Sequence, residues 1–143
     1  KNEEVEMFEG FEGLKKALRK DLRNLKPKEE YLIYLSPFEN MNNEASKIFY
    51  NNFNIKRREA KIISKLLIHQ SQREITKKEY IKTLSEQEVR FSDFSFPSRL
   101  GIFKNHVLII NGGEKTSSIL IQSEDIYKRY RDFFLELWKK AKK

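Results

Sequence analysis

The stretches Tyr31-Leu-Ile-Tyr-Leu35 and Ile62-Ile-Ser-Lys-Leu-Leu-Ile68 decide the fold class. Each is a short, nearly continuous apolar run, the first bounded by charges on one side and Ser36-Pro37 on the other. Runs of this kind read as strands covered on both faces. Residues 41 to about 60 lie between them and read as a helix, with Ala45, Ile48, Phe49 and Phe53 inward. The Asn-rich stretch at 51 to 54 weakens that helix in its middle. A helix joining two buried strands marks a crossover, and crossovers make strands parallel.

Upstream, Phe11, Leu14, Leu18, Leu22 and Leu25 form a helical stripe that Pro27 terminates. Lys1 to Glu6 reads as a short acidic lead-in, and Glu9-Gly-Phe-Glu-Gly13 as a simple turn before that helix. Downstream, Thr76-Lys-Lys-Glu79 has the form of a capping box and predicts the start of a short helix carrying Tyr80, Ile81 and Leu84. Val89, Phe91, Phe94 and Phe96 then alternate as half-buried strands do. Leu100 to Phe103 and Val107 to Ile110 flank Lys104-Asn105, a tight hairpin turn in which Asn tolerates positive φ. Gly112-Gly113 closes that strand, and Ser117 to Ile121 makes another. In the last segment Ser123 is an N-cap, and Glu124 and Asp125 follow it at the positive end of the helix dipole. Lys139, Lys140, Lys142 and Lys143 sit at the negative end. Ile126, Tyr130, Phe133, Phe134, Leu137, Trp138 and Ala141 recur at three- and four-residue steps on one face. The order is α-β-α-β-α-β-β-β-β-α. The fold class is α/β, a mixed sheet with early strands parallel, later strands antiparallel, and helices on both faces.

Composition narrows the function. A chain of 143 residues is one domain with a single core. No stretch of about 18 apolar residues is present, so no membrane-spanning helix is expected. No secretory leader is evident either, and a cytoplasmic protein is the default. Cysteine is absent, which excludes disulfides, thiolate zinc sites and thiol catalysis. The first residue is Lys1, which suggests a fragment that has lost an N-terminal partner domain. Net charge is +8 and the pI about 9.6. Two basic clusters stand out: Lys15, Lys16, Arg19, Lys20 and Arg23, then Lys56, Arg57, Arg58, Lys61 and Lys65. They fit nucleic acid, although charges make up 35% of the chain and acids are interspersed among them.

Motifs for catalysis are few. His69 and His106 stand in no ligand spacing, so no metal site is expected; His69 reads as a strand-end residue bonded to backbone. No glycine-rich phosphate loop, nucleophile elbow or paired-carboxylate signature occurs. No cofactor is implied.

The chain as a whole resembles the effector domain of archaeal sugar-specific, TrmB-like transcriptional regulators. Four stretches carry the resemblance in order: Met7-Phe-Glu-Gly-Phe-Glu-Gly-Leu-Lys15, Phe49 to Arg58 followed by Ile62 to Ile68, Gly101 to Ile110, and Ser118 to Gln122 through Phe133 to Trp138. Such regulators carry an N-terminal winged helix that binds DNA, and this resemblance implies that it is missing here. The effector domain is similar in turn to one half of the phospholipase D fold. Active members carry His-x-Lys, four further residues and Asp. In this sequence the best register is Lys104-x-His106 with Asn111 in the Asp place, so nucleophile, cation and carboxylate all depart from the pattern.

The expectation is therefore a non-catalytic regulatory domain over residues 1–143 that senses an effector, a sugar or phosphorylated metabolite, in a crevice at strand ends. Homodimerisation is implied by the habit of both families and by an aromatic content of 13%. DNA would be reached through the missing winged helix. Candidate contacts are Ser36, Arg57, Arg58, Lys104, His106 and Asn111. Arg57 and Arg58 suit an anionic group through charge-assisted hydrogen bonds, or are simply solvated helix-end cations. The alternatives are a phosphodiesterase or nuclease remnant, and a stand-alone nucleic-acid-binding module.

Overall fold

The computed structural model describes residues 3–85, 88–112 and 115–143. Its strands are β1 (Glu4–Glu9), β2 (Glu30–Leu35), β3 (Ile63–His69), β4 (Val89–Ser92), β5 (Arg99–Phe103), β6 (His106–Asn111) and β7 (Ser117–Gln122). The helices are α1 (Gly10–Asn24), α2 (Glu44–Glu59), α3 (Arg73–Glu79) and α4 (Glu124–Lys140). The strands form one sheet in the order β1-β7-β6-β5-β2-β3-β4. As the crossovers imply, β2, β3 and β4 are mutually parallel. The hairpin strands β5, β6 and β7 are antiparallel, and β5 joins the two halves by pairing antiparallel with β2.

Alternation along the strands builds two cores. Tyr31, Ile33 and Leu35 of β2 face α1, α2 and α3 with Leu66, Ile68, Leu108 and Ile110. Leu32 and Tyr34 face the opposite side with Leu67, Leu100 and Ile102, where Phe134 and Trp138 of α4 cover them. Helices thus lie on both faces. Truncating a side chain as buried as Phe134 costs about 3–5 kcal/mol. Ser123 caps α4 by accepting from the Ile126 amide at 3.2 Å, and Asn43 caps α2 by accepting from the Ser46 amide at 3.0 Å. At the Lys104-Asn105 turn φ is 33° and 62°, the left-handed geometry a two-residue hairpin needs.

Several expectations are corrected. The acidic lead-in is an edge strand: β1 pairs antiparallel with β7 from Glu4↔Gln122 to Glu9↔Ser117. Its alternation of Glu with Val5 and Met7 carried that signal. It runs straight into α1 through Gly10, whose φ of 70° turns the chain at a conformation glycine adopts freely. Thr76 does not begin a helix. It sits mid-α3, and its hydroxyl donates to the Gln72 carbonyl at 2.6 Å, the back-bonding open to a buried Thr. Ala45 is exposed and Ile48 is 60% exposed, because the inward line of α2 runs instead through Ser46, Tyr50, Phe53, Asn54 and Arg57. The Asn residues do not break the helix; Asn51 and Asn54 bond out to Glu79 and Thr83 and join α2 to the α3 region. Phe94 and Phe96 lie beyond β4 and flank the Tyr34 ring. The terminal helix stops at Lys140, and Lys142 then bridges back to Phe91, so the last two lysines are not in its final turn. Of Gly112-Gly113, the second glycine lies outside the described residues.

Tyr31 locks the centre. An added Cβ at Gly101 would lie 2.8 Å from the Tyr31 hydroxyl, so only glycine lets that ring cross β5. The hydroxyl donates to Asp21 Oδ2 at 2.7 Å, and Asp21 is fully buried. Burial pushes the Asp21 carboxyl well above the usual carboxylate range, while the Tyr31 hydrogen bond and nearby Lys20 pull it down. Asp21 therefore holds its proton more tightly folded than unfolded. Its contribution to stability is complete below the ordinary carboxylate value, about 4, and is lost as pH rises through the raised folded value. Asp21→Asn, which mimics the protonated form, should change Tm relative to the unmodified protein in its own favour as pH rises. Parallel Tm–pH curves for the two proteins would contradict this account.

Candidate functional site: a cavity at the carboxyl ends of β2 and β3

The parallel strands β2 and β3 end at Leu35 and His69, where the chain leaves the sheet on the α1–α2 side. A cavity of about 380 Å³ opens there, within the range of small-molecule sites. Leu35, Ile68 and Ile110 form its floor, Phe11 and Leu14 of α1 one wall, and Ser46, Tyr50 and Asn54 of α2 another. The 36–43 loop closes it with Phe38, Glu39, Asn40 and Met41. This loop is held from beneath. Gln72 donates its side-chain amide to the carbonyls of Ser36, Pro37 and Glu39 at 3.3, 3.3 and 2.9 Å. Tyr80 donates to the Met41 carbonyl at 2.8 Å.

Charge inside the cavity is concentrated at one place. Arg99 enters from the start of β5, pairs with Glu39 at 3.7 Å, and lies over the Tyr50 ring at 3.9 Å from its centroid. Both side chains of the pair are largely buried, at 10% and 15% exposure. At that separation the contact is chiefly one of charge, and the Tyr50 ring face supports the guanidinium. Burial pushes the Glu39 carboxyl up and Arg99 pulls it back. Burial also raises the Tyr50 phenol and takes that of Tyr80 to about 12. Both phenols are neutral donors at ordinary pH.

The sequence candidates are scattered around this centre rather than gathered in it. Ser36 is buried beneath the loop, where its hydroxyl accepts from the Phe38 amide at 3.0 Å. Asn111 ends β6 and accepts from the Ser98 hydroxyl. Arg57 is fully buried, not a solvated helix end. It donates to Asn54 at 3.2 Å and faces Glu88 at 3.8 Å, while its Nε and Nη1 find no hydrogen-bond partner among the described residues. Burial lowers its pKa, with Glu88 opposing. Arg58 is exposed. Lys104 and His106 lie together at the opposite end of the sheet, beside a second hollow of about 380 Å³ lined with Glu4, Glu6, Lys20 and Gln122. There the His106 ring stacks on Phe103 at 5.0 Å and its Nδ1 meets the Lys104 carbonyl at 2.7 Å. Lys104 reaches Glu29 at 3.5 Å. Five strand steps, at about 3.3 Å each, separate His106 from Asn111, the same interval the motif contains. Among the described residues no group of three or more metal-ligating side chains occurs, and His69 caps a turn by accepting from the Ser71 amide at 3.1 Å.

Glu39, Tyr50, Asn54, Tyr80 and Arg99 escaped sequence reading. Their one signal was a polar residue where a buried position was due: Asn54 on the inner line of α2 and Arg99 at the head of an apolar strand.

No described protein family matches the sequence, and no curated protein sequence is similar to it. Solved structures are similar in fold. TrmBL2, an archaeal chromatin protein whose structure shows a novel mode of DNA binding, superposes with a TM-score of 0.69 at 16% identity over 96% of this chain. This chain spans about half (53%) of TrmBL2. NucT from Helicobacter pylori gives 0.70 at 8% identity, covering 99% of both chains. Nuc from Salmonella typhimurium, a phospholipase D family member, gives 0.63 at 11% identity over 99% of this chain and 97% of its own. The fold is that shared by these proteins, and at such identities the likeness concerns fold alone.

The Arg99–Glu39 pair is the energetic centre of the cavity. Removing one partner of a buried pair strands the other charge, so Arg99→Ala should cost roughly 3 kcal/mol in urea unfolding. Combined with Glu39→Gln, a double-mutant cycle should return a coupling on the order of 1–3 kcal/mol; strict additivity would show the two charges to be independent.

Proposed function

We propose that this chain is a ligand-sensing regulatory domain, of the TrmB-like kind, and that it does not catalyse phosphodiester chemistry. The observation that carries this reading is the partly open cavity with a largely buried Arg99–Glu39 pair, set where parallel strands end and where α/β sheets take ligands. Polar donors and acceptors (Asn54, Tyr50, Arg99, Glu39) stand among apolar walls there, as in small-molecule sites. Lys104, His106 and Asn111 stand where the phospholipase D pattern has His, Lys and Asp, and that departure in residue type supports the non-catalytic half. A sugar or phosphorylated metabolite is the proposed effector, and DNA contact by a winged helix elsewhere in the protein is the proposed output. An effector that prefers one of two arrangements of paired domains shifts the population between them.

Pairing of two copies belongs to this proposal. Helix α4 covers β5, β6 and β2 but leaves the β7–β1 end of its face bare, where Val5 and Met7 are 68% and 61% exposed beside Ile119 and Ile121. An uncharged apolar strip complements itself, which a two-fold contact requires. Sedimentation should show a dimer that Met7→Glu converts to a folded monomer, with native far-UV circular dichroism retained; a monomer at high concentration removes dimerisation from the reading.

The sensing role is checked by thermal shift with a set of sugars and sugar phosphates. A ligand at 100 times its Kd should add about 2.7 kcal/mol of stability, and Ser46→Trp, which places an indole in the cavity, should abolish the shift. The phosphodiesterase alternative is checked with bis(p-nitrophenyl) phosphate. No turnover is expected, and turnover removed by His106→Ala would overturn the non-catalytic reading.

A further inference from the structure

Four non-glycine residues among those described have positive φ, and three are lysines: Lys28 at 73°, Lys61 at 60° and Lys104 at 33°, with Asn105 at 62°. All lie at one end of the sheet. Lys28 sits in the link from α1 to β2, Lys61 in that from α2 to β3, and Lys104-Asn105 in the β5–β6 hairpin. The turns abut. The Lys28 amide donates to the Lys61 carbonyl at 2.8 Å, and Lys104 Nζ donates to the Asn24 carbonyl at 3.3 Å. A left-handed conformation costs a β-carbon-bearing residue free energy that glycine avoids. Strain kept at a position where glycine would relieve it points to a use for the side chain.

The surroundings are basic. Arg23, Lys26, Lys28, Lys56, Arg58 and Lys61 are exposed there, and none makes an ion pair among the described residues. Helix dipoles account for Arg23, Lys56 and Arg58, which sit in the last turns of α1 and α2. They do not account for Lys28 and Lys61, which lie outside both helices. The carboxylates nearby do not cancel the patch. Glu29 is engaged by the Lys26 amide at 2.6 Å and by Lys104, which leaves Glu59 as the exposed acid of the α2 end.

We propose that this end of the sheet binds the phosphate backbone of double-stranded nucleic acid without reading its sequence. The short, pinned turns present cations at fixed separations, so little side-chain freedom beyond the lysine stems is lost on contact with a regular row of phosphates. A membrane surface fits less well, because Ile55 and Ile63, 41% and 49% exposed beside these turns, are separate aliphatic side chains and not a continuous apolar face to insert. The contact is electrostatic and driven by counterion release. It is independent of the cavity and of any effector.

The test uses the 143-residue chain and a labelled 20-base-pair duplex of arbitrary sequence, with anisotropy measured across potassium chloride concentrations. Binding should weaken linearly in log–log form as salt rises. The double variant Lys28→Gly, Lys61→Gly should lower the salt slope by about two, one for each lysine. Because glycine relieves both left-handed positions, its Tm should stay level or rise, which separates loss of binding from loss of fold. Lys139→Gln with Lys140→Gln, on α4, should leave the slope unchanged. No binding at 50 mM salt, an unaltered slope in the glycine variant, or binding to phosphatidylserine vesicles but not to duplex would each overturn the proposal.

Discussion

Strand β2 is buried on both faces and hydrogen-bonded along both edges, and the rest of the molecule is arranged around that condition. On one side it pairs parallel with β3, which demands the α2 crossover. On the other it pairs antiparallel with β5, which admits the hairpins of the second half. Its alternate residues feed opposite cores, so the strand requires helices above and below the sheet. Tyr31 fixes this arrangement in register: its ring crosses Gly101 on the neighbouring strand and its hydroxyl ends on Asp21 of α1. A slip of one residue would turn Tyr31 to the α4 face and leave Asp21 buried without a donor.

The cavity follows from that topology. Where β2 and β3 leave the sheet in the same direction, the chain must cross to α2 through the 36–43 loop, and a gap opens beneath it. Gln72 and Tyr80 hold the loop's carbonyls, so the gap keeps its shape while Glu39 faces Arg99 across it. The same fold occurs in TrmBL2, a chromatin protein, and in Nuc, a phospholipase D family member, so the scaffold is not tied to one use. Here the polar groups gather at the strand ends, and the Lys104–Asn111 segment is occupied with a turn, a stack on Phe103 and a bond to Ser98. Basic residues gather at the other end of the sheet, so the two chemistries of this chain lie at opposite poles.

Much of the fold was legible in the sequence because its signals are local. The runs at 31–35 and 62–68, the Phe11–Leu25 stripe, the Lys104-Asn105 turn and the Ser123 cap each depend on neighbours a few residues away. The readings that failed depended on distant partners. Lys1 to Glu6 looked like a lead-in because a strand with charged alternate residues is stable only against β7, more than a hundred residues later. Thr76 looked like a cap because its spacing to Glu79 is right, yet the chain before it was already turning through Gln70–Gln72. Arg57 looked like a solvated helix end, and Asn54 like a weakness in the helix, because their partners Glu88 and Thr83 lie far along the chain.

The sequence by itself determined the fold class, the mixed pairing of the sheet and the basic character of the chain, since periodicity, turn chemistry and net charge are properties of short segments and of composition. Only the tertiary structure decided which residues form the cavity and which turns share an end of the sheet. Glu39, Tyr50 and Arg99 come from three separate elements, as do Lys28, Lys61 and Lys104. What brings each set together is the packing of helices on strands, and pairing across a sheet leaves no local mark in the sequence.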